Sequence, residues 1–268
     1  VGLLDGKKGL IIGMANAHSL SWGIAQALCA EGATLGFTYR STSRERRIRP
    51  LVESLGQSFI ERCDVQNDDD IAALMVKARE RFGTLDIIIH APASARPEEL
   101  RGRYLETTRA GFQLALDVSA YSLTAIVRAA EPLLNPGASI VTLTYLGSER
   151  IVPNYNVAGV AKAALEASVR YLAYDLGPQQ IRVNAISAGP IRTLAASGIA
   201  DFRALHRSFA ALAPLRRHIT IDDVGRTALW LCSDWSSAVT GETIYVDAGA
   251  HHLAYGGTGN QQDAHGEA

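Results

Sequence analysis

Cysteine is scarce in this 268-residue chain: only Cys29, Cys63 and Cys232, far apart and each in an apolar setting. An odd, scattered set makes neither a disulfide framework nor a metal-ligand cluster, so the expected site is metal-free and the expected compartment a reducing cytoplasm. Lysine is scarce too. Among 26 basic residues only Lys7, Lys8, Lys77 and Lys162 are lysine. Charge imbalance is lacking: the formal net charge is −1, which argues against a nucleic-acid partner. No apolar run is read as long enough to span a membrane, and Val1-Gly-Leu-Leu-Asp-Gly-Lys-Lys8 lacks the composition of a signal peptide. Linkers, internal repeats and low-complexity tracts are missing before the end of the chain. Residues 1–250 are therefore expected to form one domain, followed by a loose, polar, glycine-rich tail over 251–268.

What is present is alternation. Short apolar runs alternate with longer segments of helical period, in a composition that is 47% hydrophobic and 20% charged, as in soluble globular proteins. Strands are expected at 9–12, 34–39, 58–63, 85–90, 139–143, 181–186 and 242–246. Helices are expected at 19–30, 43–55, 68–82, 108–134, 154–176 and 222–231. Asn135-Pro-Gly137 is expected to close the fourth helix and Gly177-Pro178 the fifth. The expected fold is α/β: a three-layer, doubly wound parallel sheet of about seven strands, Rossmann-like, with helices on both faces. Ligands of such sheets sit beyond the carboxyl ends of the strands. Gly13, Arg40, Asp64, His90 to Ala93, Tyr145 and Ser187 to Thr193 fall there, although loops favour small and polar residues for structural reasons as well.

The densest chemistry lies in Thr144-Tyr-Leu-Gly-Ser-Glu-Arg-Ile-Val-Pro-Asn-Tyr-Asn-Val-Ala-Gly-Val-Ala-Lys162. Tyr155 and Lys162 are seven residues apart, about two helical turns, so a helix starting near Asn154 projects both from one face. A phenol beside an ammonium is expected to have a lowered pKa, toward the range useful for proton transfer. Where an ordinary positive charge is wanted this chain writes arginine. A lysine inside Val157-Ala-Gly-Val-Ala161 therefore points to a need for a compact ammonium. Read alone, the same residues also fit two core-edge tyrosines and a lysine whose stem covers apolar surface.

After the first strand, Gly13-Met-Ala-Asn-Ala-His-Ser19 lacks the compact Gly-x-Gly-x-x-Gly fingerprint yet keeps its physical parts. Gly13 permits a tight turn, small residues let the backbone approach a diphosphate, and Ser19 can cap a helix whose N-terminus favours anions. The second strand leads to Arg40, where a dinucleotide fold reads the adenosine ribose. Arginine there, with Arg44 nearby, leans toward a 2′-phosphate and so toward NADPH. A solvated basic helix face is the competing reading for Arg40 and the preferred one for Arg46, Arg47 and Arg49. Asp64, after the third strand, is placed to hydrogen-bond an adenine amino group or to cap a turn.

With these residues placed, the chain from about Leu4 to Val246 resembles the short-chain dehydrogenase/reductase superfamily, and within it the bacterial enoyl-acyl carrier protein reductases of fatty-acid synthesis. Tyr145-Leu-Gly-Ser-Glu-Arg150, Pro153-Asn-Tyr-Asn-Val157 through Lys162, and the stretch from Arg182 to Ile199 carry the resemblance. Carbonyl-reducing members place their lysine four residues after the tyrosine, a position held here by Gly159. The resemblance implies hydride transfer from NADH, the family default, or NADPH to a trans-2-enoyl thioester on acyl carrier protein. It implies Tyr155, Lys162 and the accessory Tyr145 as catalytic residues. Gly13, Ser19, Asp64, Val65, Lys162, Ile191 and Thr193 match cofactor contacts, and Arg40 and Ala91 complete that set. A substrate-binding loop over 190–212 is implied, with Ala93, Tyr145, Tyr155, Phe202 and Leu205 toward the acyl chain; helix-face packing explains Leu205 equally well. A cytoplasmic homotetramer built on the helices near 108–134 and 154–176 is the implied assembly. Two stretches depart from the family pattern: Ala91-Pro92-Ala93, where glycine is usual at 93, and Val246-Asp-Ala248-Gly, where a double glycine is usual. A carbonyl or imine reductase on the same scaffold and a catalytically silent cofactor-binding paralogue are the alternative readings.

Overall fold

The strand runs are apolar on both faces, and this drives them to the middle of the protein. Leu10, Ile12, Ile88 and Ile140 are buried on one side of the sheet, and Ile11, Ile87, Ile89 and Val141 on the other. At roughly 1.5–3 kcal/mol for each such side chain, two-sided burial outweighs the weak local preferences of short segments. The computed structural model describes residues 1–193, 198–200 and 202–253, the Leu205 side chain excepted. Its strands are β1 (Lys8–Ile12), β2 (Thr34–Tyr39), β3 (Ile60–Arg62), β4 (Leu85–His90), β5 (Leu134–Thr144), β6 (Arg182–Ala188) and β7 (Thr243–Val246). All neighbours pair in parallel, in the order β3-β2-β1-β4-β5-β6-β7. The order reverses between β1 and β4, so the ligand crevice of this fold opens at their carboxyl ends.

Helices α1 (Leu20–Ala30), α2 (Thr42–Ser54) and α8 (Ile221–Cys232) cover one face through Ile24, Leu28, Ile48, Val52, Val224 and Leu231. On the other face lie α3 (Asp68–Phe82), α5 (Ser122–Ala130) and α6 (Asn156–Leu176), bringing Ile71, Leu74, Leu123, Ile126, Leu165 and Val169. Local signals set the helix starts. The Asn67 side chain accepts from the Asp69 and Asp70 amides at the acidic start of α3, and Thr220 and Asp223 cap α8 reciprocally. Helices α1 and α8 meet backbone to backbone. A Cβ on Gly23 would lie 2.4 Å from the Ile221 carbonyl oxygen, and one on Gly225 would lie 2.5 Å from that of Gly23.

Three expectations change. Asn135-Pro136-Gly137 does not close a helix but lies inside β5. Leu134 pairs with Leu85 and Ser139 with Ile87, so Asn135 to Ala138 stand opposite Asp86 alone and bulge out of the ladder. The helix before it is α4 (Arg109–Leu116), continued through a π-helical turn Asp117–Tyr121 into α5 and a short 3-10 turn to Leu133. By length and composition this 25-residue segment, of hydropathy 1.3, is long and apolar enough to cross a membrane, contrary to the sequence expectation. Its apolarity has a local use, since 56% of that window is buried inside the protein. Finally, β3 is only three residues long, Ile60–Arg62.

Candidate active site

Strand β5 ends at Thr144, and the chain turns through Tyr145 and a single 3-10 turn, Leu146–Ser148. Tyr155 stands immediately before α6 rather than within it. Asn154 and Asn156 bracket it in left-handed conformations, with φ of 66° and 42°. Asparagine tolerates that region better than most residues, and such strain persists only where surrounding bonds hold it. The Asn156 amide supplies one, donating to the Glu99 carbonyl at 3.2 Å.

Two glycines let this turn lie against the helix. A Cβ on Gly147 would be 2.4 Å from Cδ1 of Tyr155, and one on Gly159 would be 2.5 Å from the Gly147 carbonyl oxygen. Gly159 is therefore more than the absence of a lysine: it is the seat of the turn that backs the tyrosine. Tyr145 meets Tyr155 edge to face, with centroids 4.9 Å apart and planes at 70°, a favoured aromatic geometry.

Lys162 is 7% exposed, and its Nζ donates to the Leu143 carbonyl at 2.7 Å. Burial lowers its pKa to about 8, against the opposing pull of the Glu166 carboxylate. The lowering expected for the Tyr155 phenol does not occur. Burial first, then Tyr145 and Glu166, push it upward, and the Lys162 ammonium is committed to the end of β5. Burial and Asp247 likewise push Tyr145 up to about 12. Both phenols are thus proton-bearing hydrogen-bond donors rather than bases.

The other expected residues gather at the same edge of the sheet. Gly13 has φ +89°, its amide donates to Thr38 Oγ1 at 3.1 Å, and a Cβ there would sit 3.0 Å from the Pro92 nitrogen. The ends of β1 and β4 are in contact, with Ala91 N–H extending the ladder to the Ile12 carbonyl. Ser19 is the N-cap of α1 by position, but its hydroxyl donates to the Asn16 carbonyl and caps nothing. The first-turn amides of α1 keep no side-chain acceptor from Ser19, which suits them to an anion. Arg40 Nε, exposed, lies 3.8 Å from Oδ2 of the half-buried Asp64, and Asp64 Oδ1 also accepts from the Gln66 amide. Ala91, Val65 and Ile191 are partly buried on the core, and Ala93 is exposed. A cavity of about 450 Å³ opens beside Ile191, lined also by His18, Arg192, His206, His218 and Ile221.

His90 is buried behind the site, where the Lys162 charge acts on it. Its ring is bonded to Thr142 and Ser122 at 2.9 and 2.8 Å, and burial holds it neutral with a pKa near 3. Phe202 is buried at the start of α7 (Phe202–Leu212). The Leu205 side chain, residues 194–197 and 201 of the expected substrate loop, and the tail from 254 lie outside the described residues. Among the described residues no group of three His, Cys, Asp or Glu converges as a metal site. Sequence reasoning passed over Glu166. The signal was available: a carboxylate four residues after Lys162, in an apolar run, shares its helix face.

Comparison with known proteins finds relatives over most of the chain. A family model described as enoyl-(acyl carrier protein) reductase matches residues 13–251. The NADH-named enoyl-[acyl-carrier-protein] reductase of Rickettsia prowazekii is 53% identical over 248 residues, covering 92% of this chain and 95% of that protein. The enoyl reductase of Anaplasma phagocytophilum, solved with NAD, superposes with a TM-score of 0.92 at 50% identity, covering 96% of this chain and 98% of that one. The Bacillus cereus enoyl reductase, solved with NADP+ and an indole naphthyridinone, gives 0.93 at 49% identity, covering 95% and 100%.

Proposed function

The chain belongs to the enoyl-(acyl carrier protein) reductase family, and on that premise we propose how its own residues serve the reaction. The protein reduces the trans-2 double bond of an enoyl group carried as a thioester on acyl carrier protein, in the fatty-acid elongation cycle. Its cofactor is a nicotinamide dinucleotide, with NADH the form in its relatives' names; when bound, the cofactor supplies hydride to the β-carbon. Negative charge then develops on the thioester oxygen, and stabilising that charge is the protein's main task.

Tyr155 donates to that oxygen. Its raised pKa keeps the hydroxyl protonated, as a donor requires. Tyr145 holds the ring edge-on and lines the substrate. Lys162 places a buried positive charge at the end of β5, where the nicotinamide ribose is expected. The residues fit a dinucleotide: Gly13 leaves a cradle that a Cβ would crowd, and α1 offers amides to a diphosphate. Ala91, Ile191 and Thr193 border the nicotinamide half, and Asp64 and Val65 the adenine half. Arg40, loosely paired with Asp64, is placed to accept a 2′-phosphate as a second cofactor option. Ala93 and Phe202 serve the acyl chain.

Residues 1–250 act as one unit, and four copies assemble in the cytoplasm. The exposed apolar side chains Phe112 and Tyr121 beside a cavity of about 510 Å³, and Tyr171 and Tyr174 on α6, support that assembly.

The observation that carries the reading is the Tyr145–Tyr155 ring pair just after β5, with the buried Lys162 ammonium bonded to the Leu143 carbonyl in the same strand. Oxidation of NADH by crotonyl thioester tests it. Tyr155→Phe should lower kcat/KM about 10²–10³-fold with the fold intact, the scale for removing one oxyanion donor. Lys162→Ala turning over at the native rate would sink the assignment.

A further inference from the structure

Lys162 and Glu166 stand one helical turn apart on α6, and both are buried, at 7% and 6% exposure. Buried charges are costly unless partnered, so the pair calls for an account. Each is tied separately to the end of β5. The Lys162 ammonium donates to the Leu143 carbonyl at 2.7 Å, and the Thr144 hydroxyl donates to Glu166 Oε1 at 2.5 Å. Consecutive strand residues thereby hold an ammonium and a carboxylate in register on neighbouring sites.

Other titratable groups face this spot. His90 approaches from β4 as a neutral ring, Tyr145 follows β5, and Tyr155 precedes α6. From β7 come Tyr245, whose hydroxyl bonds Glu149, and Asp247 just after it. Glu149 is exposed, and the Asp247 carboxylate is taken up by the Gly249 and His251 amides and the His251 ring. Glu166 is the carboxylate that acts on both Lys162 and Tyr155, favouring the protonated form of each.

We propose that Glu166 is a positioning residue: a buried side chain, locked by the Thr144 hydroxyl one helical turn from Lys162, that sets the electrostatic environment of the Lys162 ammonium and the Tyr155 hydroxyl from behind. The inference rests on the roles given above to those two residues. An enolate oxygen needs a donor and a nearby cation at once, and one negative charge behind both secures both states.

With four lysines in the chain, the ammonium can be followed directly by NMR of protein carrying isotope-labelled lysine, the Lys162 signal being assigned by its loss in Lys162→Met. In the native protein that signal should titrate near 8. In Glu166→Gln its midpoint should fall by about one pH unit or more, the scale for losing a close opposite charge. The alkaline limb of kcat/KM for crotonyl thioester should fall by the same interval. Thr144→Val, which keeps shape and both charges, should give a smaller shift in the same direction, and it carries the test if the glutamine variant does not fold. A midpoint unmoved in both variants, with only the melting temperature lowered, overturns the proposal. A midpoint that falls while the rate profile stays put also removes Glu166 from the reaction. In that case Lys162 leaves the rate-limiting chemistry as well, which separates failure of the site reading from failure of this one.

Discussion

In Gly159→Ala the new methyl would sit 2.5 Å from the Gly147 carbonyl oxygen, in the turn that lies against the Tyr155 ring. To reach even 3.0 Å, the closest approach real Cβ atoms make, that carbonyl must retreat by half an ångström. The retreat has little room, because Gly147 itself is within reach of the ring. Two stability effects oppose each other. Overpacking costs about 1–3 kcal/mol, and alanine in place of glycine inside a helix returns about 1 kcal/mol. A net loss of about 0–2 kcal/mol follows, a few degrees in Tm for a chain of this size. Activity should suffer more, since misplacing a catalytic group by about 1 Å costs about 100-fold. We therefore expect kcat/KM for crotonyl thioester to fall about 10–100-fold with Tm lowered by no more than a few degrees. Gly177→Ala is the control: nothing lies within 4 Å of a Cβ there, so rate and Tm should both hold. Native kcat/KM in Gly159→Ala would refute the claim that this turn positions the phenol.

Other outcomes follow from the same geometry. Arg40→Gln removes the guanidinium beside Asp64 and should raise KM for NADPH several-fold more than KM for NADH; an unchanged ratio would take Arg40 out of cofactor choice. His90 is held neutral to a pKa near 3 against an ordinary value of 6.5, so the unfolded chain binds the extra proton between those values. Stability from this group is full above pH 6.5 and declines as pH falls toward 3, by up to about 1.4 kcal/mol per pH unit. His90→Gln should flatten that slope in denaturant titrations across the window, and an equally steep slope would show that other groups cause it.

The order of strands and helices was legible because burial on two faces leaves continuous apolar runs, as in Ile87, Ile88 and Ile89. Of the candidate site, the sequence spacing foretold the helix that starts beside Tyr155 and carries Lys162. What could not be read needed a third partner. The sign of the Tyr155 shift depends on burial and on Glu166, neither of which appears in the tyrosine–lysine spacing. Ser19 has the right identity for a cap, but the Asn16 carbonyl claims its hydroxyl. Arg40 and Asp64 were assigned to separate parts of the adenosine, yet adjacent strand ends bring them to 3.8 Å. Asn135-Pro136-Gly137 has a stop signal's composition, and only the pairing of β4 with β5 reveals a bulge.

The contact of α1 with α8 bears on how the molecule is made. The last helix of the domain seals the first, glycine against glycine, and it also covers β5 through the Ser139 hydroxyl bonded to the Leu231 carbonyl. A chain emerging from the ribosome therefore carries part of one side of its sheet uncovered until Ile221–Cys232 has been synthesised. Partial products lacking that segment expose Ile24, Leu28 and Val141 to water, so they are substrates for chaperones and for aggregation rather than smaller working enzymes.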